Sequence, residues 1–109
     1  MYETLIIDTD PVHAGKLIQE LKSRRLRLKV IPNVDEATRR LRNQSYQLVI
    51  LNVSDSSQPW LQVLDRLREA TRHPGGDSRP LFLCISNRPR EPRFQLEVER
   101  QGARYVYER

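Results

Sequence analysis

Short unbroken apolar runs alternate along the chain with stretches in which apolar residues recur every three or four positions. The first run, TLIID (Thr4–Asp8), reads as a strand that ends in an acid. From Pro11 to Arg24, the residues Ala14, Leu17, Ile18 and Leu21 follow helical spacing. Asp10 offers a side-chain oxygen to the free N–H groups at the start of that helix, and Pro11 suits its first position. Arg27–Ile31 reads as a second strand. The next helix buries Val34, Ala37 and Leu41, with Asn33 or Asp35 as its cap. QLVILN (Gln47–Asn52) is a third strand. Pro59 opens a helix that turns Trp60, Val63, Leu64, Leu67 and Ala70 inward. His73–Pro80 is a loop on its Gly and Pro content, and Leu81–Ser86 is a fourth strand. The segment PRFQLEVERQGA is ambiguous. Phe94, Leu96 and Val98 alternate as in a strand, yet Phe94 and Val98 are also an i, i+4 pair and Gly102 suits a helix C-cap. The strands on either side require a crossover, so this segment is expected to be helical. Arg104–Tyr107 is a fifth strand.

Strands that are apolar throughout and separated by amphipathic helices predict a parallel sheet covered on both faces. Ligands of such sheets gather at the carboxyl ends of the strands. The positions of interest are therefore Asp8, Thr9 and Asp10, then Asn52 to Asp55, then Ile85 to Asn87, then Glu108 and Arg109. Asn52 stands out because it interrupts the buried run between Leu51 and Val53.

The length of 109 residues predicts a single domain, 1–109. No apolar run approaches the roughly 20 residues that span a bilayer. The first residues lack a basic stretch followed by an apolar one, so a secretory leader is not expected. Cys84 is the one cysteine and lies inside an apolar run, which fits a buried thiol in a reducing cytoplasm and neither a disulfide nor a metal site. The net charge of +5 admits a nucleic-acid partner. Its arginines are scattered over several segments and interleaved with Glu and Asp, however, which fits solvated helix faces better.

The segments LIIDTDP, YQLVILNV, RPLFLCIS and GARYVYER, in that order and spacing, resemble the receiver domain of two-component response regulators over essentially the whole chain. The resemblance implies a CheY-like, flavodoxin-like three-layer α/β/α sandwich with a five-stranded parallel sheet. The proline and fifth helix that follow the last strand in that family have no counterpart here. The resemblance also implies a chemistry: an Asp at the end of the third strand accepts a phosphoryl group, and Mg²⁺ held by an acidic pair neutralises the phosphate oxygens. A Ser/Thr on the fourth strand and a Lys on the fifth couple that event to a surface change.

Carried over by position, Asp8 matches the first acid and a candidate metal ligand. Thr9 stands where the second acid belongs, and Asp10 lies one residue further on. Asn52 occupies the phosphoacceptor position, and an amide is no nucleophile at neutral pH. Ile85 takes the Ser/Thr position, Ser86 comes one residue later, and Arg109 falls nearest the Lys. Tyr105 or Tyr107 would belong to the switch surface. With two carboxylates replaced, Mg²⁺ is not expected as a cofactor.

The expected function is a non-enzymatic, phosphate-blind receiver in the cytoplasm. It would act through a protein partner or output domain, or as a homodimer. The alternatives are a working receiver phosphorylated on a displaced acid, Asp55, and a nucleic-acid-binding regulator. A flavodoxin-like cofactor enzyme is disfavoured because no Gly-rich loop follows the first strand. Ser54–Pro59 is expected to be a loop and helix cap, His13 a solvated first-turn residue, and Trp60 a core residue. An uncovered apolar patch is expected where the fifth helix is missing, explained first by a trimmed chain and second by self-association.

Overall fold

The computed structural model describes residues 2–22, 24–72, 79–88 and 91–108. Five strands alternate with four helices: β1 Tyr2–Ile7, α1 Pro11–Leu21, β2 Leu26–Ile31, α2 Val34–Asn43, β3 Leu48–Asn52, α3 Trp60–Ala70, β4 Leu81–Ser86, α4 Pro92–Arg100 and β5 Arg104–Tyr107. All five strands are parallel, in the order β2-β1-β3-β4-β5.

Handedness decides where the helices go. Right-handed crossovers are nearly obligatory between parallel strands. The step from β1 to β2 runs one way along the sheet, and the steps β2 to β3, β3 to β4 and β4 to β5 run the other. So α1 packs on one face and α2, α3 and α4 on the opposite face. The three-helix face holds the larger core, in which Leu5, Ile7, Val49, Leu51, Phe82 and Cys84 meet Ala37, Leu41, Trp60, Val63, Leu64, Leu67 and Val98. The α1 face holds Ile6, Leu17, Ile50 and Ile85, with Leu21, Leu28, Val30, Leu48 and Leu83 packed against them. Among the described residues no helix follows β5. On the α1 face, Leu81 and Val106 are 53% and 44% exposed.

Local signals place the ends of the elements. The Asn33 side chain accepts the Glu36 N–H at 3.0 Å and starts α2. The segment before α3 departs from expectation: Pro59 is the N-cap, and no side chain caps this helix. The nearby acid is used in a turn instead, where Asp55 Oδ1 accepts the Ser57 N–H at 2.9 Å and the Ser57 hydroxyl at 2.6 Å. The ambiguous segment is the helix α4. It ends where Gly102, at φ +90°, turns the chain into β5. The first helix stops at Leu21, three residues before Arg24, with Lys22 as its C-cap. The loop expected over His73–Pro80 lies for the most part outside the described residues.

Candidate functional site

Strand order reverses between β1 and β3, and the carboxyl ends of these strands deliver Asp8 and Asn52 side by side. Asp8 follows β1 directly and is 2% exposed. Its backbone N–H donates to the Ile31 carbonyl at 3.1 Å, which continues the sheet ladder one residue past the strand. Its side chain is fully engaged. Oδ1 accepts the Asp10 N–H and the Asn52 amide, each at 2.9 Å, and Oδ2 meets His13 Nδ1 at 2.5 Å.

Asn52 is held at both ends of its amide. Its Oδ1 accepts the Ser54 N–H at 3.0 Å, so the NH₂ group is turned toward Asp8. The same NH₂ lies 3.3 Å from His13 Nδ1. The structure therefore places a hydrogen-bond donor, and no carboxylate, where the resemblance calls for the nucleophile.

Thr9 and Asp10 lie outside the pocket. Both are exposed. The Asp10 carboxylate caps α1, accepting the Val12 and His13 N–H groups at 3.0 and 3.3 Å. An acid spent on a helix start leaves Asp8 as the one acid of the first loop that enters the pocket.

Ile85 is the register partner of Asn52 and packs with Ile6, Leu17 and Ile50, so an apolar chain stands at the position for which the resemblance calls for a Ser or Thr. Ser86 is fully buried. Its Oγ accepts the Arg88 N–H at 3.2 Å, and its carbonyl accepts the Glu108 N–H at 2.7 Å. Tyr105 packs edge-on against Phe94 with ring centroids 5.9 Å apart, and the Arg88 guanidinium covers Phe94 at 4.6 Å. Tyr107 is 40% exposed. Arg109 lies outside the described residues. Trp60 is buried, as expected of a core residue, and its indole N–H donates to the Asp55 carbonyl at 2.6 Å.

The sequence reading placed Glu108 at the carboxyl rim of the sheet but gave it no role, and it misjudged His13. His13 is not a solvated first-turn residue. Its side chain is 11% exposed and bridges Asp8 to Glu108, with Nε2 and Glu108 Oε1 2.6 Å apart. The cap explains its position, because Asp10 fixes the start of α1 and thereby swings the third helical residue back over the end of β1. Glu108 arrives by strand alternation. Val106 is the partner of Ile85, on the face that also carries Asn52, and Glu108 lies two residues further along. Both signals were present in the sequence, but residues 95 positions apart meet only once the sheet order is known.

Burial opposes charge on His13 and is the largest single influence on it. The hydrogen bonds and charges of Asp8 and Glu108 together outweigh it, and the imidazole pKa lies above its ordinary 6.5. Cys84 is the opposite case, a thiol pushed up to about 12 by burial alone and therefore unreactive. Asp55 is exposed, and its bonds from Ser57 hold its carboxyl below the usual range.

The pocket does not fit a bound Mg²⁺. That ion needs several oxygen ligands in near-octahedral array. Both Asp8 oxygens are committed, Asn52 turns its nitrogen inward, and Glu108 meets the pocket through His13. Among the described residues, no three His, Cys, Asp or Glu side chains are arranged to hold a metal ion.

The chain matches no protein-family model and no curated protein sequence. Its fold is nonetheless that of solved response-regulator receiver domains. One is a Burkholderia pseudomallei response regulator with a phosphorylated aspartate and a calcium ion (17% identity, TM-score 0.79). That match covers 99% of this chain and 60% of that one, so the present chain spans about three fifths of the Burkholderia chain. An orphan response regulator of H. pylori is 19% identical with a TM-score of 0.75, over 98% of this chain and 82% of that one. The Thermotoga maritima response regulator TrrA, in complex with Mg²⁺ and beryllofluoride, is 19% identical with a TM-score of 0.76, over 100% and 88%. The chain thus has the CheY-like receiver fold.

Proposed function

We propose that this chain is a receiver-like signalling module that works by protein contact and without aspartyl phosphorylation. The observation that carries this reading is Asn52, whose amide closes onto Asp8 at the carboxyl end of β3. The Burkholderia regulator carries a phosphorylated aspartate, and an amide cannot form that acyl phosphate. The hydroxyl position is filled by Ile85, and neither Thr9 nor Asp10 supplies a second acid to the pocket. The partner is an output domain or a separate protein, the role is non-enzymatic, and the setting is the cytoplasm.

The test is exposure to acetyl phosphate with Mg²⁺, read by intact mass, and to beryllofluoride with Mg²⁺, read by Trp60 fluorescence. No mass gain and no saturable fluorescence change are expected. A mass gain that disappears in Asp55→Asn would replace this reading with a working receiver that uses a displaced acid.

A further inference from the structure

Two carboxylates converge on one imidazole at the end of the sheet. Both ring nitrogens of His13 face carboxylate oxygens, Nδ1 on Asp8 and Nε2 on Glu108. An ionised carboxylate only accepts hydrogen bonds, and a neutral imidazole has a single N–H to give. In the neutral ring one lone pair would point at a carboxylate oxygen. The doubly protonated ring donates on both sides. The Asp8 side chain is fully buried and that of His13 is 11% exposed, so charge here is costly unless it is paired.

The surroundings hold the three groups in place. The Asp10 N–H and the Asn52 amide fix the other Asp8 oxygen. The cap on α1 sets His13, and the Glu108 N–H is anchored on the Ser86 carbonyl. The donor that a divalent cation would have to displace is part of the chain itself.

We propose that His13 is the resident cation of this pocket: its imidazolium neutralises the facing carboxylates, shuts the pocket to divalent cations, and pins the first turn of α1 to the end of β5. This rests on the reading of the module as phosphate-blind and adds a cause for it beyond the loss of the nucleophile. Without the ring, Asp8 and Glu108 would lose their shared donor and stand as two uncompensated carboxylates, to which a hydrated hard cation such as Mn²⁺ is drawn.

The experiment is ¹⁵N NMR of the whole chain, with Mn²⁺ as the probe. In the wild type, both His13 ring nitrogens should show the protonated signature at neutral pH. Mn²⁺ should leave the amides of Asp8 to Asp10 and of Asn52 to Ser54 unbroadened. In His13→Ala, Mn²⁺ should broaden those amides saturably. Should His13→Ala not fold, Glu108→Gln is the second variant, and its His13 ring should keep a single protonated nitrogen at neutral pH. A neutral His13 ring in the wild type overturns the proposal. So does Mn²⁺ broadening of the wild type equal to that of the variant, absence of broadening in folded His13→Ala, or a doubly protonated ring in Glu108→Gln. A wild type that responds to beryllofluoride with Mg²⁺ instead overturns the phosphate-blind reading itself. Broadening by Mn²⁺ without any beryllofluoride response overturns only the role given to His13.

Discussion

At the scale of single residues, the pocket joins an amide and an imidazole to one buried carboxylate. His13 carries most of the energetic consequence. Its hydrogen bonds to buried or half-buried carboxylates are of the charge-assisted kind, so His13→Ala should cost about 2 kcal/mol of stability, measured by urea unfolding. The pH dependence has a definite sign. The imidazole pKa is higher in the folded chain than the ordinary 6.5: burial is the largest single influence and opposes charge, but the hydrogen bonds and charges of Asp8 and Glu108 together outweigh it. A raised folded-state pKa means the stabilisation is fully present below about pH 6.5 and fades as pH rises through the folded value. Wild-type urea midpoints should therefore fall between about pH 6 and about pH 9, and the same scan of His13→Ala should be flatter. Parallel curves would show that the fall has another origin.

At the scale of elements, two chain ends carry more than their own helix or strand. Asp10 caps α1 and also aims His13. Asp10→Ala should cost about 1 kcal/mol through the lost cap. It should also perturb the His13 ring signals, which a cap that served only the helix would leave alone. Gly102 makes the turn from α4 into β5 at φ +90°, and an added Cβ would lie 3.4 Å from the Arg68 guanidinium. That neighbour is the tip of a flexible side chain, so backbone conformation is the main cost. Gly102→Ala should lose about 1–2 kcal/mol by thermal or urea unfolding. The element pattern was largely legible from the sequence. Helical and strand periods are local properties, and even the ambiguous α4 resolved once its neighbours were strands. The cap expected from Ser54–Pro59 was not, because Asp55 closes a turn with Ser57 before the chain reaches α3.

At the scale of the molecule, the two sheet faces differ. The three-helix face is closed: Leu64 is 1% exposed in its core, and Leu64→Ala should cost about 2–5 kcal/mol. The α1 face is open toward β4 and β5, where Val106 is 44% exposed. Val106→Ser should change stability by no more than about 0.5 kcal/mol. Urea midpoints of the two variants, measured side by side, check this contrast. A large loss at Val106 would mean that the open face is covered in solution.

The amino-acid sequence by itself determined the run of strands and helices, the parallel sheet, and the identity of the residues at positions 8, 52 and 85. Each of these follows from local period, local capping or position within a strand. Only the tertiary structure decided what those residues touch. His13 and Glu108 lie 95 positions apart, on a helix start and a strand end. Nothing in either segment alone marks them as a pair. Right-handed crossovers bring the carboxyl ends of β1, β3 and β5 to one rim of the sheet, and the α1 cap turns an ordinary-looking histidine into the space between them. Each nitrogen of that ring then meets a carboxylate oxygen, which raises the imidazole pKa.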